Sequence, residues 1–438
     1  MTTTRRAFLA TGAALLTAGT AAAKRSPSGP RAFPRDFLWG AATAGHQVEG
    51  HNVASDTWLL ENINPTSFKE PSGDACNSFA LWPKDLDLVR DLGLNTYRFS
   101  IEWSRIEPEP GQFSRAILDH YRRMIAGCRE RALIPMVTFN HYSCPRWFSA
   151  RGGWTQVDAA DLFARYCERA ARHLAADIGY ATTLNEPNTP QMIQWFGFPP
   201  SVFDAQDAML AAASKATGST HFTAANAASV ADAKVMLPIM IAAHKKAYAA
   251  IKSVRPDLPV GVSLGISDDQ TVGRNSRRDD MRRDAYGAWL DAAKTGDFIG
   301  VQNYFRIQFD SNGPLPLPKG APTNSMGDEI YPQSLGAAVR YAHTVTRLPI
   351  IVTENGLCTE DDAFRAAYIP RALAGLLDAM EDGVPVKGYV HWSLLDNFEW
   401  TWGYAIRFGL VAVDRSTFER TPKPSANVLA AIARRNAL

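Results

Sequence analysis

The sequence is poor in cysteine, and the few it has carry no pattern: Cys76, Cys128, Cys144, Cys167 and Cys358 are scattered with no C-x-x-C pair. That spacing offers neither a zinc ligand set nor a dithiol redox motif, and isolated buried thiols are the expectation. Long apolar runs are lacking as well, none beyond the N-terminal segment approaching the roughly 18 residues that span a bilayer. Neither sign of charge is in excess, since 46 Lys and Arg stand against 44 Asp and Glu. Nothing therefore asks for nucleic acid or an acidic partner. No G-x-G-x-x-G follows a strand-like run, which argues against an open dinucleotide-binding sheet.

What is present is ample core: 46% of the 438 residues are hydrophobic and 10% aromatic, the composition of an ordinary globular protein. The N-terminus stands apart. Arg5 and Arg6 precede the weakly apolar stretch Ala7 to Leu16, and Ala21, Ala22 and Ala23 follow. This pattern is that of a twin-arginine signal peptide over 1–23 with an A-x-A cleavage site. It implies the twin-arginine export machinery as a partner and a periplasmic or extracellular destination. Residues 24–34, rich in Pro, Ser and Gly, read as a short leader, and 35–438 as one domain.

Eight short apolar, β-branched or aromatic runs recur, each followed by a polar loop and a stretch of helical periodicity. They are Phe37 to Thr43, Thr96 to Ile101, Ile134 to Asn140, Tyr180 to Glu186, Pro259 to Gly265, Phe298 to Phe305, Pro349 to Asn355 and Val386 to Ser393. Eight strand–helix repeats with near-continuous apolar strands predict an α/β protein, a single (β/α)₈ TIM barrel. The least periodic stretches, 197–223 and 308–326, read as loops over the barrel mouth.

In such a barrel the chemistry sits where strands end. Glu186 ends the fourth run and Glu354 the seventh, so two carboxylates can face each other across the mouth. Such a pair suits glycoside cleavage, in which one group protonates the leaving oxygen while the other stays ionised; either glutamate alone could equally be a structural ion-pair partner. A sugar offers apolar C–H faces and a ring of hydroxyls, so its pocket needs aromatic platforms beside amides and carboxylates. The segment 391–400 supplies both, with Trp392, Glu399 and Trp400 expected to face a ligand.

The motifs run along the whole domain: Phe37-Leu-Trp-Gly-Ala-Ala-Thr-Ala with Gln47 and Glu49-Gly50, Tyr97-Arg-Phe-Ser-Ile-Glu-Trp-Ser-Arg-Ile, Leu184-Asn-Glu-Pro, Thr353-Glu-Asn-Gly, and Trp392-Ser-Leu-Leu-Asp-Asn-Phe-Glu-Trp with Arg407-Phe-Gly-Leu. In this order they resemble the family 1 glycoside hydrolases, the β-glucosidase group. The resemblance implies a retaining, exo-acting β-glycosidase, foremost a β-D-glucosidase acting on a small or oligosaccharide β-glycoside without metal or organic cofactor. It implies Glu354 as nucleophile, Glu186 as general acid/base and Arg98 as the group that keeps the nucleophile ionised. Gln47, His141, Asn185, Glu399 and Trp400 would bind the sugar, with Trp392 as its platform. β-Galactosidase, β-fucosidase and transglycosylase activity on the same residues remain alternatives, as does a non-catalytic carbohydrate- or protein-binding relative.

Two departures from the family pattern stand out. Tyr142-Ser-Cys-Pro replaces the common Trp-Asp-x-Pro and alters a pocket wall. In Asn303-Tyr304-Phe305, read as support for the nucleophile, Phe305 stands where the family usually has a tyrosine hydroxyl, so that hydroxyl is expected to be missing unless another donor replaces it. The chain is also short for the family over 267–295, which suggests a more open aglycone side.

Overall fold

The structure is a computed structural model and describes residues 31–438. The signal peptide read at 1–23, and residues 24–30 of the leader, lie outside the described residues. Residues 31–34, read as leader, instead belong to the fold. Ala32 pairs with Ala437, and the Phe33 N–H donates to the Asn436 carbonyl at 2.9 Å. The Phe33 ring is buried against Phe37 and Trp39, with centroids 4.8 and 4.7 Å away, and this apolar anchor ties the segment down.

The described residues contain twelve strands: β1 (Leu38–Ala42), β2 (Thr96–Ser100), β3 (Ile134–Asn140), β4 (Tyr180–Asn185), β5 (Val260–Gly265), β6 (Asp268–Thr271), β7 (Phe298–Gln302), β8 (Arg306–Phe309), β9 (Ile350–Asn355), β10 (Val386–Trp392), β11 (Val411–Val413) and β12 (Arg420–Pro422). Eight of them close a barrel in the order β1-β10-β9-β7-β5-β4-β3-β2, and all neighbours run parallel. These are the eight runs visible in the sequence. The short parallel pair β6–β8 and the antiparallel pair β11–β12 lie outside the barrel.

Helices such as Ser78–Asp91, Arg115–Glu130, Ala159–Leu174 and Asp362–Glu381 form the outer layer. Strands covered on both faces lose any alternation of apolar and polar residues. β9 illustrates this: Ile350 and Val352 join the large core cluster shared with the helices. Ile351, pointing the other way, joins Leu38, Met136, Phe298 and Val390 in a separate cluster that plugs the barrel interior. Inward positions on other strands are polar, among them Arg98 and the Thr138–Thr182 hydroxyl pair at 2.8 Å. An apolar plug below and polar groups above give the barrel one chemically active end.

Register shifts interrupt the ladder β4–β5 between Thr182 and Asn185, and the ladder β7–β9 between Val301 and Gln302. Such irregularities re-aim side chains beside active sites. The stretch 197–223 is not a loop throughout: Pro200–Thr217 is a helix, stopped by Gly218 at φ +65°. Only Met209, Leu210 and Ala213 are buried on it, so its apolar face is too narrow to leave a periodic signature, while its alanine-rich composition favours a helix. Beyond the end of β8 at Phe309, the stretch 308–326 contains no helix and borders the barrel mouth. All five cysteines are buried and unpaired. No described helix is long and apolar enough to cross a membrane.

Candidate active site

A cavity of about 520 Å³ opens at the C-terminal end of the barrel, with Glu186 and Glu354 both on its wall. Glu354 is carried by β9 itself. Arg98, fully buried on β2, donates from Nη1 to Glu354 Oε1 at 2.6 Å and from Nη2 to Asn185 Oδ1 at 2.5 Å. Gln302, the last residue of β7, donates to the same two acceptors at 2.9 and 2.7 Å. The other carboxylate oxygen of Glu354 accepts from the Tyr304 hydroxyl at 2.6 Å. Burial raises the Glu354 carboxyl above its ordinary range, and Arg98 and Tyr304 pull it back down.

Glu186 sits one residue beyond β4 in the left-handed region, at φ +42°, a conformation that costs a non-glycine residue roughly 1–3 kcal/mol and recurs at active sites. Its N–H donates to the Ser263 carbonyl at 2.8 Å, which fixes it against β5. A side chain on Gly265 would put its Cβ 3.0 Å from Glu186 Oε1, so glycine there gives the carboxyl room. No ion pair to Glu186 is found among the described residues; its Oε2 accepts from the Tyr142 hydroxyl at 2.5 Å. Burial first, and the negative charge of Glu354 second, push its pKa up to about 8. Of the pair, Glu354 ionises first, because it alone holds the arginine.

The remaining residues assemble on one side of the cavity. The Gln47 amide donates to the Phe398 carbonyl at 2.8 Å and to Glu399 Oε2 at 3.3 Å, while its Oε1 has no hydrogen-bond partner among the described residues. Burial, reinforced by Glu354, pushes Glu399 up to about 8. His141 is kept neutral by burial and by Arg98, and it contacts Asn185 Nδ2 at 3.2 Å. Trp392 and Trp400 stack beside it, with ring centroids 5.5 and 6.0 Å away. Every sugar-binding residue named from the sequence therefore lies at this one site.

The pair read as nucleophile support is where the structure differs. Phe305 does not face Glu354; its ring packs edge-on against Phe196 at 5.7 Å in the cavity mouth. The hydroxyl expected to be missing is supplied by Tyr304. The Asn303 side chain bonds the Ile266 and Phe305 carbonyls and Ser334, and reaches Glu354 only through its backbone N–H, 3.2 Å from the Glu354 carbonyl. The alternation of β7 carried past its end is the physical reason: Phe298, Gln302 and Tyr304 share one parity and face the barrel interior, which leaves Phe305 on the other side. Gln302 was missed outright, although its place at a barrel-strand end was a usable signal. Tyr142 is a partner of Glu186 as well as a wall.

A family model for glycosyl hydrolase family 1 matches residues 30–302 and 302–438. The crystal structure of beta-glycosidase BGL167 is similar at 47% identity and a TM-score of 0.87, covering 93% of this chain and 98% of that one. The apo structure of a beta-glucosidase 1317 is similar at 42% identity and a TM-score of 0.88, over 91% and 98%. A beta-glucosidase of Agrobacterium sp. is 30% identical over 92% of this chain and 95% of its own length.

Proposed function

The chain belongs to glycosyl hydrolase family 1 and is a retaining glycosidase; from that premise we propose that it is an exo-acting β-D-glucosidase. In the first step Glu354 attacks the anomeric carbon as the glycosidic C–O bond breaks, and Glu186 gives its proton to the departing oxygen. In the second, Glu186 takes a proton from water, whose oxygen attacks the same carbon and releases Glu354. Two inversions leave the configuration unchanged. The observation that carries this division is the contrast in surroundings: Glu354 alone has an arginine, and Glu186 alone is held mainly by a neutral hydroxyl.

Gln47, His141, Asn185 and Glu399 take the sugar hydroxyls, and Trp392 and Trp400 cover its C–H faces. The preference for glucose rests on the activity that the Agrobacterium relative's name records. Toward solvent the cavity is walled by Phe196, Phe198, Phe305, Leu315, Leu317 and Met326, which suits aryl and alkyl aglycones. The test is a panel of aryl β-glycosides differing only in the sugar, with NMR of the first anomer released. The β-glucoside should give the highest kcat/KM and a β-product; a faster galactoside or fucoside would reassign the sugar. We propose further that the protein is exported by the twin-arginine route, on the strength of Arg5, Arg6 and the alanines at 21–23. Replacing both arginines with lysine should strand the precursor in the cytoplasm, and normal export of that variant would refute the reading.

A further inference from the structure

Tyr142 is a wall of the cavity and a partner of Glu186, and its geometry gives it a part in the reaction. It follows the end of β3 by two residues and adopts φ +64°, the left-handed conformation that accompanies its turn toward the mouth. Its ring is pinned edge-on by His141 and by Trp400, both 5.3 Å away at 86° and 85°. Its hydroxyl meets Glu186 Oε2 at 2.5 Å and Thr189 Oγ1 at 3.1 Å. Burial holds the phenol proton on oxygen. A rigid neutral donor is therefore fixed on one oxygen of a carboxyl whose other oxygen, Oε1, lies in the space left by Gly265.

We infer that Tyr142 is a positioning residue for both proton transfers: by occupying Oε2 of Glu186 it confines the travelling proton to Oε1 and favours the ionised carboxyl needed in the second step. The inference rests on the roles proposed for Glu186 and Glu354. The other charged or titratable groups facing Glu186 are Glu354 from β9, Arg98 from β2, Glu399 from the loop after β10 and Tyr304 just after β7, whose phenol burial keeps neutral. Glu354 and Glu399 favour the proton, while Arg98 disfavours it. Once Glu354 is esterified to the sugar its negative charge is gone, and Tyr142 then acts in the same direction as Arg98, toward the base form that activates water.

The test is Tyr142→Phe in the full chain, which removes one oxygen and keeps the ring. Dinitrophenyl β-glucoside, with a leaving group that needs no proton, and phenyl β-glucoside, which needs one, separate the steps. On phenyl β-glucoside kcat/KM should fall about tenfold, and its basic limb should move to higher pH, because a donor to the charged form is lost. On dinitrophenyl β-glucoside kcat/KM should stay within about twofold while kcat, limited by the second step, falls about tenfold. Thr189→Val, which removes a hydroxyl that bonds the Tyr142 hydroxyl and itself favours the ionised form of Glu186, should move the basic limb the same way by less. An equal fall on both substrates with the limb unmoved in both variants would overturn the inference and leave Tyr142 a packing residue. A wild-type protein inactive on both glucosides would instead overturn the proposed function.

Discussion

The two carboxylates of this site share a cavity, yet their supports are built differently. Glu354 lies within a strand, and three side chains reach it: Arg98 and Tyr304 on separate oxygens, with Gln302 beside Arg98. Glu186 lies past a strand end on a left-handed residue, held by the hydroxyl of Tyr142 and without a cation of its own. One environment stabilises charge in a fixed direction. The other tolerates either protonation state, which an acid that must become a base requires.

Removing the groups themselves tests the contrast most severely. Glu354→Ala should lower kcat/KM on every glucoside by at least about a thousandfold, since covalent attack is lost. Glu186→Ala should match that loss on phenyl glucoside yet retain most of kcat/KM on dinitrophenyl glucoside. Stopped-flow release of the phenol checks both, and a uniform loss on both substrates in the Glu186 variant would erase the distinction.

A smaller effect concerns substrate charge. Glu186, Glu354 and Glu399 line the cavity, Arg98 beneath them is already engaged by Glu354 and Asn185, and Arg306, which also lines the cavity, is held by Glu329. A 6-phosphoglucoside should therefore show kcat/KM about a hundredfold below the glucoside, through like-charge repulsion. Comparable values would mean that a base reaches the 6-position.

Below that comes Tyr304→Phe, which removes one of the bonds to Glu354. A hydrogen bond to a charged group is worth about 1.5–3 kcal/mol, so kcat/KM should drop by about tenfold or more. The sign follows from which form is favoured: the hydroxyl lowers the Glu354 pKa, so its loss raises that pKa and moves the acid limb to higher pH. An unmoved acid limb would show that Tyr304 does not bear on the nucleophile. Smallest of all should be Phe305→Tyr, which leaves the acid limb in place because Tyr304 already fills the donor position.

How far the sequence could be read follows from the same contrast. The eight barrel strands were legible because burial on both faces writes continuous apolar runs, and both glutamates because strand ends in a barrel are where chemistry collects. Gln302 and Tyr304 share the inward parity of Phe298 on β7 and were open to a reading by alternation; the shift that no count along the chain reveals lies in β9, where Val352 and Glu354 pair with the adjacent Val301 and Gln302. Tyr142 was visible as a departure but not as a partner, since the φ of +64° that accompanies its reach toward Glu186 is a property of the folded turn. The helix Pro200–Thr217 was missed because three buried side chains in 18 residues leave little pattern.

The central claim, that the charge-stabilised carboxylate is the nucleophile and the uncompensated one the acid and base, has a direct stereochemical readout. Azide added to the two alanine variants enters from whichever face the missing carboxylate vacates. With dinitrophenyl β-glucoside, the Glu186→Ala protein should yield the β-glucosyl azide, formed by attack on the sugar ester of Glu354. The Glu354→Ala protein should yield the α-glucosyl azide by direct displacement. NMR of the two products decides it: opposite anomers in this order are the predicted result, and the same anomer from both variants, or the reverse order, would contradict the account.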